Sequence, residues 1–277
     1  MNFVRQYLLA LQCFTRVPVN GALAQWAGLD PDPRAGGGDT GDTRASAAHF
    51  PGVGLLIGLL ACTVFAVLGL VLPDSPFAPL VAAGGCLAAT VMLTGGVHEI
   101  GLAHVADALG SPVQRERALE TTKDARLGSH GTLFLFLTLL AKVSLLAVLA
   151  EQSPAAVLVA LLAAHVVSRF WPLLLMRSLP FIGDAGASRS NRVGGRIDSV
   201  SLAIAVAWCV VPLAIALFAQ GPAFVIMGVL LGGLASLWLR WLFLRRLRGF
   251  SGDCVGATQQ VCEIAFYLGA AIGFGVG

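Results

Sequence analysis

The chain has 277 residues, of which 57% are hydrophobic and only 12% charged, with a mean hydropathy of +0.82 and a net charge of +3. Soluble domains carry about 25% charged residues, so this composition excludes an ordinary water-soluble fold. The apolar residues come in long runs rather than as half-faces, which makes the solvent a bilayer and the expected fold an all-α polytopic integral membrane protein.

In chain order, residues 2–15 are too short to span and lack a cleavage-site pattern, which argues against a signal peptide. Phe3, Tyr7, Leu8, Leu11 and Phe14 form a helical stripe, so an interfacial amphipathic helix is expected there. Residues 29–47 are Gly- and Asp-rich and read as a loop, with 34–44 resembling an insertion, before HFPGVG at 49–54 leads into the first span. Spans are expected at 52–73, 79–97, 132–150, 155–176, 200–219 and 222–244, with a shorter one over 261–277. That makes about six to seven transmembrane helices, each of the first six near the length that a bilayer requires. No hydrophilic stretch is long enough for a core of its own, so residues 1–277 are read as one membrane domain, with 1–51 as its N-terminal region.

The connections alternate in character. Those at 74–78, 151–154 and 220–221 contain no Lys or Arg. The N-terminal region, 98–131, 177–199 and 245–260 hold every basic residue except Lys142, Arg169 and Arg240. By the positive-inside rule the charged loops are expected in the cytoplasm. The six cysteines show no CxxC or other zinc spacing and read as reduced packing residues.

Three polar clusters share that side. The stretch from Thr94 to Gly131 holds His98, His104 and His130 together with Glu99, Asp107, Glu116, Glu120 and Asp124. Arg115, Arg117, Lys123 and Arg126 follow or interleave. A chain this apolar gathers so many charges only where water or a charged ligand reaches them. Helical spacing puts Ile100, His104 and Asp107 on one face, with Glu99 about a quarter turn away. An Asp beside a His is also what a solvated helix end looks like, and spacing alone leaves both readings standing.

The second cluster, 177–196, sets Arg177, Arg189, Arg192 and Arg196 among Gly and Ser. Such a loop can wrap phosphate with guanidinium forks and backbone N–H groups, although charge-directed topology alone also places arginines there. In the third, 245–263, Gly249, Gly252 and Gly256 permit close backbone approach and Asp253 is a carboxylate able to ligate a metal. Gln259, Gln260 and Glu263 follow at a helix start. Inside the spans, His165 is expected to bond a neighbouring helix, Arg169 to snorkel toward the charged side, and Lys142 marks a functional position. Carboxylates and cationic donors at a membrane surface suit Mg²⁺-assisted transfer of a phosphate-linked group. The residues alone name no substrate.

Five blocks carry a resemblance: FVRQYLLALQCFTRVPV, HFPGVGLLIG, TGGVHEIGLAHVADALG, RERALETTKDARLGSHG and GFSGDCVGATQQVCEIAFYL. In this order, from residue 3 to 268, they resemble the cobalamin synthase (adenosylcobinamide-GDP ribazoletransferase) family. The resemblance implies a multi-pass enzyme of the bacterial inner membrane in the last steps of coenzyme B12 assembly. It implies adenosylcobinamide-GDP and α-ribazole or its 5′-phosphate as substrates, GMP as product, Mg²⁺ as cofactor, and the bilayer as environment. Other B12-assembly enzymes are candidate partners; no nucleic acid is expected. His98, Asp107, Lys123 and Asp124 are then expected catalytic residues. Arg126, Arg177, Arg189, Arg192 and Gly252 are expected to bind substrate, and Asp107, Asp253, Glu99 and His104 to hold the metal.

The chain departs from the family pattern at two blocks. Where HxDGxADxxDG is usual it has HEIGLAHVADA, with Ile100 and His104 in aspartate positions and Ala108 in a glycine position. Where GGxTGD is usual it has GFSGD. Mg²⁺ selects oxygen ligands, so the expectation is either a site rebuilt from Asp107, Asp253, Glu99 and Asp124, a preference for Mn²⁺ or Zn²⁺ through His104, or an impaired copy. A non-catalytic corrinoid binder or transporter is the alternative class. A transporter would show repeated halves with broken spans, which the sequence lacks.

Overall fold

A computed structural model describes residues 2–19, 21–26, 45–110, 127–183 and 196–276, and among them the fold is all α. Helices α1 (Asn2–Phe14) and α2 (Gly21–Trp26) come first, and a 3₁₀ turn, Ser46–His49, leads into α3 (Phe50–Val71). Next are α4 (Ala78–Thr94), α5 (Val97–Gly110), α6 (Ser129–Gln152), α7 (Pro154–Val167) and α8 (Trp171–Ser178). The last three are α9 (Ser199–Gln220), α10 (Pro222–Arg246) and α11 (Gly252–Val276). Lys123, Asp124, Arg126, Arg189 and Arg192, and the 34–44 segment, lie outside the described residues.

Local chemistry sets the helix boundaries. Pro154 and Pro222 sit in the first turns of α7 and α10, where a missing N–H costs nothing. Ser153 caps α7 by accepting from the Ala155 N–H, and Asp198 caps α9 by accepting from the Ser201 N–H at 2.7 Å. The Ser201 hydroxyl, and after it that backbone bond, hold the Asp198 carboxyl below its ordinary pKa. Gly95 and Gly96 both take positive φ, +72° and +70°. This pair ends α4 and turns the chain by 91° into α5.

Six helical stretches are long and apolar enough to cross a bilayer, or seven if the bent pair α4–α5 counts as one span. The span expected at 79–97 is helix α4, which stops at Thr94, three residues short, where the chain breaks sharply into α5. The expected short span at 261–277 is the 25-residue helix α11, which begins at Gly252. Its polar residues depress hydropathy although they face inward.

The α7–α8 span lies at the centre, with 67% of its apolar window buried, against 22% for α6 and for α9. Small residues, Ala156, Ala160, Ala163 and Ala164, let its neighbours approach closely. Outer helices turn Leu70, Phe218 and Met92 outward, as a lipid solvent allows. The amphipathic α1 buries Leu8, Leu11 and Phe14 against the bundle while Phe3 stays exposed. Helix α11 packs along α10 and also touches α5, α6, α7 and α8. It is the element on which the polar residues of the bundle converge.

Candidate active site

The site is built where α5 lies between the first turns of α6 and α11. Gly101 and Gly256 make this approach possible. A Cβ at Gly101 would stand 3.0 Å from the Asp253 carbonyl oxygen, and one at Gly256 would stand 3.1 Å from the His98 backbone. With the backbones this close, His104 Nδ1 lies 3.3 Å from Asp253 Oδ2, the two side chains 13% and 19% exposed. The partners are 149 residues apart in sequence. A carboxylate in this position favours the tautomer that donates Nδ1–H, leaving Nε2 as the proton-accepting atom of the ring.

One turn further along α5, Asp107 accepts two backbone N–H bonds. Gly128 donates to Oδ2 and Gly131 to Oδ1, both at 2.7 Å. Gly128 is the N-cap position of α6 and has no side chain to serve its own helix. Asp107 supplies the cap from α5, placing a negative charge at the positive end of α6. Its neighbour on the expected stripe, Ile100, is exposed.

The other expected site residues divide. Glu99 turns into the protein, where its Oε1 accepts from Gln260 Nε2 at 2.9 Å. His98 is buried beneath Phe14, ring centroids 5.3 Å apart. Arg177 braces the chain entering α9, donating to the Ile197 carbonyl at 3.3 Å and the Ser199 hydroxyl at 3.1 Å. Gly252 opens α11 next to Asp253. The second and third polar clusters also meet. The Ile182 N–H donates to the Phe250 carbonyl and the Phe250 N–H to the Pro180 carbonyl, each at 2.9 Å.

Among the described residues no three His, Cys, Asp or Glu side chains come together as a metal-binding group. The four expected metal ligands are thus not one cage: Asp253 pairs with His104, Asp107 is taken by α6, and Glu99 by Gln260. Mg²⁺ is commonly held by one or two carboxylates, with water and phosphate oxygens filling the remaining positions. A divalent cation held in that form would have Asp253 as its protein anchor, with a phosphate-bearing ligand completing it.

Below this end, the membrane-spanning residues that the sequence singled out converge on Glu263 of α11. Lys142 Nζ from α6 lies 2.9 Å from Glu263 Oε1, and His165 Nδ1 from α7 lies 3.7 Å from Oε2. The Tyr267 hydroxyl donates to Oε1 at 3.1 Å, and Gln259 Nε2 lies 2.6 Å from Oε2. His165 faces Glu263 across the helix contact but stands beyond hydrogen-bond distance of it, and its Nδ1 lies nearer Arg169 NH1 of its own span, at 3.4 Å. Arg169 does not snorkel: it is buried, and its NH1 donates to the His165 carbonyl at 2.7 Å. Sequence reading named most of these positions without pairing them. Ser168, whose hydroxyl accepts from Gln259 Nε2 at 3.0 Å, and Tyr267 gave no signal, since neither carries charge.

The family model described as cobalamin-5-phosphate synthase matches residues 6–271. The chain belongs to that family. Similar relatives named adenosylcobinamide-GDP ribazoletransferase span the same length. One from Polaromonas sp. (strain JS666 / ATCC BAA-500) is 50% identical and covers 98% of both chains. One from Polaromonas naphthalenivorans (strain CJ2) is 49% identical over 98% of this chain and 99% of its own. A third, from Leptothrix cholodnii, is 41% identical over 96% and 94%. No solved structure matches. Both family blocks that depart from the usual pattern, HEIGLAHVADA and GFSGD, lie at the α5–α11 contact.

Proposed function

We propose that this protein joins α-ribazole, or its 5′-phosphate, to adenosylcobinamide-GDP, giving adenosylcobalamin or its 5′-phosphate and GMP. The observation that carries the reading is the meeting of His104 and Asp253 at the polar end of a chain whose full-length relatives bear that enzyme's name. In the reaction the ribazole hydroxyl oxygen bonds to the phosphorus on the cobinamide side of the pyrophosphate. The bond from that phosphorus to the bridging oxygen breaks, and GMP leaves with the electron pair.

His104 would take the hydroxyl proton at Nε2, an atom closed off from solvent here, once substrate entry uncovers it, and Asp253 would orient the ring through Nδ1 and stabilise the imidazolium that forms. The imidazole thus performs proton transfer at a position where the family usually places an aspartate. His98, enclosed by Phe14 and α11, orients α5 rather than meeting substrate. From the sequence alone, Lys123, Asp124 and Arg126 would contact phosphate or position the nucleophile, and Arg189 and Arg192 would bind substrate. A bound Mg²⁺, or Mn²⁺ in its place, would neutralise pyrophosphate charge, with Asp253 holding it. The basic connections at this end support a cytoplasmic active face in the bacterial inner membrane, where other B12-assembly enzymes can hand over both substrates.

The test is turnover of the purified full-length protein in nanodiscs with adenosylcobinamide-GDP and α-ribazole, Mg²⁺ and then Mn²⁺ being titrated. The expected result is stoichiometric GMP and cobalamin. Tight binding of both substrates without GMP release would overturn the catalytic reading.

A further inference from the structure

We propose that the buried pair Lys142–Glu263 is a positioning element that fixes the axial register of α6 against α11, so that the start of α6, capped by Asp107, stays beside the His104–Asp253 pair. The inference rests on the reading of that end as the reaction centre. Helices α6 and α11 pack side by side and run in the same direction, with both first turns at α5. Lys142 follows Gly131 by eleven residues and Glu263 follows Asp253 by ten. At 1.5 Å per residue the charges lie about 16 Å and about 15 Å below the site, a matched depth in both helices. A second tie lies farther down, where Gln152 Nε2 donates to the Ala271 carbonyl at 3.4 Å.

Register needs such a device here. Apolar helix ridges in lipid repeat with the helical turn, so sliding α6 by one turn, about 5.4 Å, re-seats similar side chains. That slide would carry Gly128 and Gly131 away from Asp107 or drag α5 off Asp253. A buried charge pair has no equivalent one turn away, and its separation in hydrocarbon is strongly penalised. The carboxylate is also held by Tyr267 and Gln259 of its own helix, so its rotamer is fixed before the lysine arrives. Gln260 extends the same anchor to Glu99 and so ties the start of α5 to α11.

Removing one charge alone strands the other, so the informative variants are paired. In nanodiscs, the full-length Lys142→Met/Glu263→Gln protein keeps its fold, by melting temperature, but loses the register constraint. The amides of Gly128 and Gly131 then exchange at least about tenfold faster. The rate kcat falls at least about tenfold, and KM for the cobinamide substrate moves by less than about threefold, since positioning acts on the reacting geometry. The reversed pair Lys142→Glu/Glu263→Lys restores both amide protection and kcat. A folded neutral pair with unchanged exchange and unchanged kcat would overturn the proposal. If the neutral pair unfolds, the reversed pair decides: a folded reversed protein with unprotected glycine amides overturns it equally. If the unaltered protein releases no GMP, the functional reading fails, and the exchange data still judge the register claim.

Discussion

Substituting Asp107 tests whether its carboxylate is held as the cap of α6. In Asp107→Ala both N–H bonds are lost at once, from Gly128 and from Gly131. Bonds to a charged acceptor contribute about 1.5–3 kcal/mol each in a buried setting. Gly128 is exposed, so water replaces part of that, and a net loss of about 2 kcal/mol for the pair is the working figure. Confined to the first turn of α6, this is roughly a thirtyfold rise in local opening, since 1.36 kcal/mol is tenfold. Asp107→Asn keeps one acceptor oxygen and loses the charge, so about half the effect remains. Hydrogen exchange of residues 127–132 reads the opening directly, and turnover in the same preparations reads the consequence. Faster exchange with lost turnover is expected for Asp107→Ala, and intermediate values for Asp107→Asn. Lost turnover with unchanged exchange at Gly128 and Gly131 would refute the argument, because Asp107 would then act on the substrate or the metal rather than through α6.

Three further outcomes are expected. His104→Ala should lower kcat by about 10²–10⁴, the range for a lost general base, and Asp253→Asn should do at least as much; unchanged turnover in either variant would remove that residue from the mechanism. Gly256→Ala forces α5 and α11 apart at His98 and should cost about 1–3 kcal/mol, visible as a lower melting temperature with weakened activity; an unshifted melting curve would show that the contact gives way freely. Asp198→Ala should destabilise the start of α9 by about 1 kcal/mol at neutral pH. Because the folded carboxyl is held below its ordinary value, the capping stability is present above a pH of about 4 and fades as pH falls through the folded value; a difference from the unaltered protein that persists in acid would contradict it.

Much of the architecture was legible because hydropathy is additive along a span, and proline, serine and aspartate mark helix starts locally. The two span errors have specific causes. Hydropathy does not register φ, so Gly95 and Gly96 passed as ordinary residues of a span although their conformation ends it. Gln259, Gln260 and Glu263 masked the first half of α11 because an average cannot tell a polar residue facing water from one facing three helices. Arg169 was misjudged for the same reason: its depth allows snorkelling, but a carbonyl of its own helix was nearer. At the site, the blocks containing His104, Asp107 and Asp253 were legible from composition and resemblance. Their partners were not, since the Asp107 contacts are backbone amides, which no side-chain pattern encodes.

The centrality of α7–α8 has a consequence for biogenesis. This span carries His165 and Arg169, follows a helix carrying Lys142, and is enclosed by α3 and α6, made before it, together with α9, α10 and α11, made after it. Glu263, the carboxylate that Lys142 and His165 face, emerges from the ribosome 98 residues after His165 (263 − 165) and 121 after Lys142 (263 − 142). During synthesis the bilayer or the insertion machinery must therefore hold two or more basic side chains at span depth without their counter-charge. Helix α11, made after the other described spans, is the one that neutralises the interior, which makes its arrival the step that turns that set of inserted spans into a closed bundle.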